Sequence, residues 1–181
     1  VEIDGAWTFT DTFIKGLYLK MDADGDIQHA FLDGGIRSPE DLVDRFKRDD
    51  IKVFVIPEGD GVKAVLWLSD FRQATAYAHF CVAKEYRGPG SVGIAMTFLD
   101  EMLHIRTALG GYALDVIFAY VSEENKGVVK LLHGMFEMSK DPDSPLAGKI
   151  LDTIPNAMID VYKGRKVNAV LGYAVRKEDM I

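Results

Sequence analysis

The chain contains one cysteine, Cys81, in 181 residues. A lone thiol forms no internal disulfide and supplies no cysteine cluster for structural zinc, so a disulfide scaffold and a zinc finger are both excluded. The lack of disulfides suits a reducing compartment, and a cytoplasmic location is the expectation. Basic residues are outnumbered: 21 Lys and Arg against 28 Asp and Glu leave a formal charge of −7. Broad nucleic-acid binding needs a concentrated cationic surface and is not expected. A small positive pocket for a phosphorylated ligand is compatible with that balance. No run of about 20 residues is free of charge, so no segment reads as a membrane span. The amino terminus lacks a basic flank followed by an apolar run, so no secretory signal is read there. The first residue is Val rather than Met, which leaves processing or truncation open.

What is present describes an ordinary globular domain. Apolar residues make up 48% and charged residues 27%, and the length fits one domain with a sizeable core. No internal repeat or low-complexity tract interrupts it. A helix is expected from about Asp11, and the Asp- and Gly-rich segment 22–35 reads as a loop. Ser38-Pro39-Glu40-Asp41 is a helix start, with a capping hydroxyl, proline at the first helical position and two acids in the first turn. That helix should end near Arg48. Residues 51–57, 62–69 and 74–83 are β-branched and apolar with short polar connections, and predict an antiparallel meander. A helix over 94–109, closed by Gly110-Gly111, follows. Next come a buried strand at 113–121, a helix at 123–136, a loop at 139–155, and a hairpin over 157–175 turning at Lys163-Gly164-Arg165. The predicted fold is α/β in the α+β sense, one domain with a mixed, mostly antiparallel twisted sheet and helices on its faces.

The informative segment is Arg87-Gly88-Pro89-Gly90-Ser91-Val92-Gly93, lying between a strand and a long helix. Glycines let the backbone approach a ligand closely, and the unpaired first N–H groups of the helix form an anion site suited to a pyrophosphate. Arg87 can add a charge-assisted contact. The segment lacks the Lys-Ser/Thr ending of a nucleotide-triphosphate loop and the spacing of a dinucleotide fingerprint. Taken alone it reads equally well as a plain connector.

In its context the turn resembles that of the GNAT N-acyltransferase superfamily, in which a strand ends in V-x-x-x-x-R/Q-x-x-G-x-G/A before a helix. Val82, Arg87, Gly88 and Gly90 supply most of this pattern, and Asn125, Val128 and Leu131 match a later helix start, N-x-x-A-x-x-L-Y. The resemblance covers about residues 38–136. It implies acetyl-CoA or another acyl-CoA as co-substrate, with the backbone at Val82 and Ala83 pairing with the pantetheine arm. It also implies amides from Gly88 through Gly90, Ser91, Val92 and Gly93 on the pyrophosphate, and Asn125 contacting or ordering the cleft. The acceptor would be a small-molecule or peptide amine, approached from residues 11–37, 70–74 and 139–155. Exposed sheet edges leave a homodimer open.

The match departs from the pattern in three places. Val92 stands where the family has its final Gly or Ala, Leu132 where many members carry a tyrosine acid, and Gly134-Met135-Phe136 falls out of step. A degenerate binding or assembly module is therefore the alternative to an active enzyme. His79 has the intrinsic pKa of a general base, but strand alternation turns it away from the face of Ala76 and Ala78, where relatives carry theirs. It reads either as a base or as a packed histidine. His133, next to Leu132, is the candidate replacement acid; His29 and His104 read as surface residues. Asp22-Ala23-Asp24-Gly25-Asp26 has the wrong glycine position for a calcium loop and reads as a solvated acidic loop at the acceptor end. Cys81, Trp67 and Trp7 read as packing residues.

Overall fold

The computed structural model describes residues 9–179 and the backbone of 2–3 and 6–7; the Trp7 side chain lies outside the described residues. Two short strands, β1 (Glu2–Ile3) and β2 (Ala6–Trp7), pair with each other. Helix α1 (Asp11–Ala23) starts where Thr10 Oγ1 accepts from Phe13 N at 3.2 Å and buries Ile14, Leu17, Tyr18 and Met21 at helical spacing. A single turn, α2 (Ile27–Ala30), interrupts the segment expected to be loop throughout. Helix α3 (Pro39–Phe46) is capped by Ser38, whose Oγ accepts from Asp41 N at 3.2 Å; it stops two residues before Arg48.

Strands β3 (Lys52–Glu58), β4 (Gly61–Arg72) and β5 (Thr75–Val82) form the antiparallel meander. Helix α4 runs Gly90–Leu103, beginning and ending earlier than 94–109. Its expected last turn is instead a loop, held by Thr107 N to Gly111 O and Ala113 N to Ile105 O, both 2.8 Å, which leaves Leu109 in solvent. Strand β6 (Val116–Ser122) and helix α5 (Lys126–Ser139) follow. Strand β7 (Leu146–Asp160) occupies most of the segment expected as loop, and β8 (Arg165–Arg176) completes the hairpin. Pro155 misled the sequence reading, because proline disfavours a central strand; β7 is an edge strand, and Pro155 sits in its irregularity between Ile154 and Met158.

The six-stranded sheet has the order β3-β4-β5-β6-β8-β7, with β5–β6 its one parallel pair. Strand alternation divides the interior into two cores. On one face α1, α2 and α3 pack against Val65 and Trp67. On the other α4 and α5 cover Ala64, Leu66, Leu68 and Ile117. Arg176, 2% exposed, closes the far end of the second core: Nη1 donates to the carbonyls of Leu103 and Leu114, both at 2.6 Å, and Nη2 pairs with Asp115 and Asp179. It thereby satisfies a carbonyl that the end of α4 leaves open.

Candidate functional site

The site begins where a sheet comes apart. β5 and β6 pair from Thr75↔Val116 to Ala78↔Ala119 and no further, although β5 continues to Val82 and β6 to Ser122. Each strand stays bonded to its other neighbour, so the two edges diverge as a V. Ala83 N donates to Lys63 O at 3.0 Å. Odd-numbered residues of β5 therefore exchange main-chain bonds with β4, and even-numbered ones turn theirs towards β6. On β6, Glu123 N donates to Asn168 O at 2.9 Å, which sets the same alternation. The Val82 carbonyl accepts from Arg87 Nε at 2.9 Å. The groups left facing the gap are the Phe80 N–H and C=O, the Val82 N–H and the Tyr120 C=O. This corrects the expected pairing edge: Ala83 is bonded to β4, and the free edge is centred on Phe80 and Val82.

A cavity of about 930 Å³ passes through this gap from one face of the sheet to the other. On the helical face its walls are apolar, with Val92, Ala95 and Phe98 from α4 and Leu131, Leu132 and Met135 from α5. On the opposite face they are aromatic and polar, and include Tyr77, His79, Tyr120 and Asp70.

The glycine turn stands at the mouth of the helical side. No side chain caps the start of α4, so its first amides keep the partial positive charge of a helix N-terminus. Gly88 has φ +135°, a conformation that favours glycine. A Cβ built on Gly90 or Gly93 meets no atom within 4 Å, so the space above both is open. Ser91 is committed within the turn: its hydroxyl donates to Gly88 O at 2.6 Å and its amide to the same oxygen at 3.1 Å, so the expected Ser91 contact with a pyrophosphate is not available. Val92 turns towards α5, where a Cβ on Gly134 would come within 2.8 Å of its Cγ2. The bulk at Val92 is thus matched by its absence at Gly134.

Several sequence-predicted residues are held differently from expectation. Arg87 reaches back rather than outward, its Nη2 pairing with Asp26. The acidic loop is accordingly tied to the protein: Asp24 Oδ2 accepts from Lys84 N at 3.1 Å and pairs with Lys20, while Asp26 also accepts from Cys81 Sγ at 3.3 Å. Burial pushes the Cys81 thiol far above its ordinary range, so it is no nucleophile. Asn125 caps α5, its Oδ1 accepting from Val128 N at 3.2 Å, and lines the cavity. His133 is exposed on α5 and does not line the cavity, whereas the neighbouring Leu132 does. A residue on the opposite side of the helix cannot serve as the acid proposed for it.

His79 follows β5 immediately beyond the last paired residue, on the face opposite Ala78. Its ring stacks on Trp67 at 5.0 Å, and Nε2 lies 2.9 Å from Ser69 Oγ, which in turn donates to Asp70 Oδ2 at 2.9 Å. A carboxylate only accepts, so the single hydroxyl proton of Ser69 points to Asp70, and Nε2 must be the protonated nitrogen of His79. Nδ1 is then the unprotonated nitrogen. Burial, reinforced by the charge of Arg45, lowers the pKa to about 4, so the ring is neutral at physiological pH. Neither Ser69 nor Asp70 was singled out in the sequence; their alignment appears only when the β4–β5 hairpin brings Ser69 opposite Tyr77.

No family model and no curated protein sequence matches the chain. Solved structures do. One is spermidine N-acetyltransferase from Vibrio cholerae, in complex with CoA and spermine, with a TM-score of 0.66 and 14% identity over 93% of this chain and 92% of that one. Another is the microcin self-immunity acetyltransferase MccE with acetyl-CoA and AMP, at 0.66 and 12% over 92% and 88%. A third is a Streptococcus mutans protein at 0.65 and 14% over 93% and 96%. The chain has the GNAT fold. No helix among the described residues is long and apolar enough to cross a membrane.

Proposed function

We propose that the protein is an acyl-CoA-dependent N-acyltransferase that passes an acyl group to an amine by direct attack. The observation carrying this reading is the unpaired stretch of β5 and β6 opening onto a cavity that reaches both faces of the sheet. The chain fits the co-substrate: a free strand edge for amide groups, apolar walls for an alkyl arm, and an uncapped helix start with open space above Gly90 and Gly93 for a diphosphate. Acetyl-CoA is the natural candidate, and it supplies the thioester carbonyl. Phe80 and Val82 orient the arm, and the amides of Gly88, Gly90, Val92 and Gly93 hold the pyrophosphate. Arg87 acts at one remove, fixing the turn through Val82 and Asp26. Asn125 orders the cleft wall by capping α5.

The amine enters from the aromatic face and meets His79 at the apex of the V. A weakly basic imidazole does not strip a free ammonium; it accepts the proton that the attacking nitrogen sheds as the C–N bond forms. With Leu132 in place of an acid, the sulfur leaves as thiolate and takes its proton from water. Holding the two reactants together supplies much of the rate. Leu132, standing where the resemblance implies a tyrosine acid, also favours a second reading, a GNAT-fold module that binds acyl-CoA without turnover. Isothermal titration with acetyl-CoA and desulfo-CoA, followed by thiol release across an amine panel, separates them. The enzyme reading requires micromolar to sub-millimolar binding and thiol release. No binding at millimolar cofactor defeats both; binding without release favours the module.

A further inference from the structure

We infer that the acceptor is an amine carrying a single positive charge on an aromatic or similarly apolar body, not a polyamine. This rests on the acyltransferase reading and specifies its second substrate. The basis is the state of the carboxylates that line the acceptor side of the cavity, Asp26 and Asp70, and of Asp24 beside them. Asp26 is neutralised by Arg87, and Asp24, which does not line the cavity, by Lys20 and the Lys84 amide. The acidic loop that would draw a polycation is thus already paired. Asp70 is different. It lines the cavity while itself exposed to solvent, accepts only from the Ser69 hydroxyl, and has no cationic partner among the described residues.

Around that one carboxylate the walls are aromatic. Tyr77 and Phe118 lie 5.6 Å apart in a tilted pair, Tyr173 lines the same face, and Tyr120 presents its ring there while its hydroxyl donates to Ala157 O at 3.0 Å. Trp67 is covered by Phe31 on one side and His79 on the other, so it walls the site without offering a face. Such a surface is favourable for a ring or alkyl body and for one ammonium at Asp70. The second and third ammoniums of a polyamine would be desolvated with no carboxylate to pair with, a cost that contacts with ring faces do not offset. Ser69 bridges Asp70 to Nε2 of His79, so an amine paired with Asp70 stands near the apex of the V; it yields one proton to solvent to become the free amine that attacks, and the nitrogen sheds its second proton as the C–N bond forms.

The test is titration calorimetry of amines into the full chain saturated with CoA, at 150 mM salt. Tyramine and phenethylamine should bind at least tenfold more tightly than spermidine or spermine. Asp70→Asn should weaken tyramine about tenfold, whereas Asp22→Asn, on an exposed acid away from the cavity, should leave it unchanged. Polyamines binding as well as or better than the monoamines would overturn the inference, as would no amine binding at all, or equal losses in both variants. These outcomes are read from amine binding alone. Failure here with cofactor binding and thiol release intact removes the acceptor class and leaves the acyltransferase standing.

Discussion

The half-buried His79 ring carries a measurable signature. In the unfolded chain its pKa is 6.5, and in the fold burial and Arg45 lower it to about 4. Above pH 6.5 both states are neutral and the residue makes stability independent of pH. Below 6.5 the unfolded chain binds a proton that the folded one refuses, so stability falls until the folded pKa is reached. The full loss is on the order of 3 kcal/mol. Between pH 7.5 and pH 5, the logarithm of the two binding polynomials gives about 2 kcal/mol. Urea unfolding at those two pH values measures it. The Asp and Glu side chains with lowered pKa lose their contributions mainly below pH 5, and they are common to wild type and variant. His79→Phe keeps an aromatic ring against Trp67 and removes the titration, so the difference between the two proteins isolates the residue. Stability of His79→Phe should fall about 2 kcal/mol less than wild type over this interval. Equal slopes would refute the reasoning, because they would mean that the imidazole protonates freely in the folded state. The same burial sets the activity profile: no inflection attributable to His79 is expected between pH 5.5 and 7.5, and one near 6.5 that vanishes in His79→Phe would count against it.

Other consequences are sharper in direction than in size. Gly90→Val should reduce CoA affinity at least tenfold by titration calorimetry with little change in thermal midpoint, since the space above Gly90 is empty of protein. Gly134→Ala should destabilise, because its Cβ meets Val92 Cγ2 at 2.8 Å and overpacking costs about 1–3 kcal/mol. In a Val92→Ala background the sign should reverse to a gain of about 1 kcal/mol from helix propensity; additivity in the denaturant cycle would deny that the two residues touch. Arg176→Met strands the buried carbonyls of Leu103 and Leu114 while Asp115 and Asp179 stay in solvent, and should cost about 1–3 kcal/mol per carbonyl in urea unfolding.

Local chemistry explains which features were legible in the sequence. Ser38-Pro39 at the start of α3 and the meander of β3, β4 and β5 are written in adjacent residues, and the structure realises them nearly in place. So is the glycine turn: a strand, a flexible connection and a helix can be read without knowing what lies across from them. The long edge strand β7 was hidden, because Pro142, Pro145 and Pro155 carry a local signal for loop, and only the bonds to β8 overrule it. The fate of charged side chains was hidden for a deeper reason. Arg87 beside glycines reads as a phosphate ligand, yet Asp26, sixty-one residues earlier, claims it. The acids at 24 and 26 read as bait for a cation, yet both serve to fasten α1 and α2 to the turn that precedes α4.

That fastening also gives the candidate site its logic. The loop that borders the acceptor mouth and the turn that borders the cofactor mouth share one ion pair, and the pair consumes the charges that each would otherwise offer to a ligand. What remains on the cofactor side is main chain, and on the acceptor side a single carboxylate among rings. On the proposed reading, recognition falls to backbone amides at one mouth and to Asp70 at the other, with His79 between them at the point where the sheet opens.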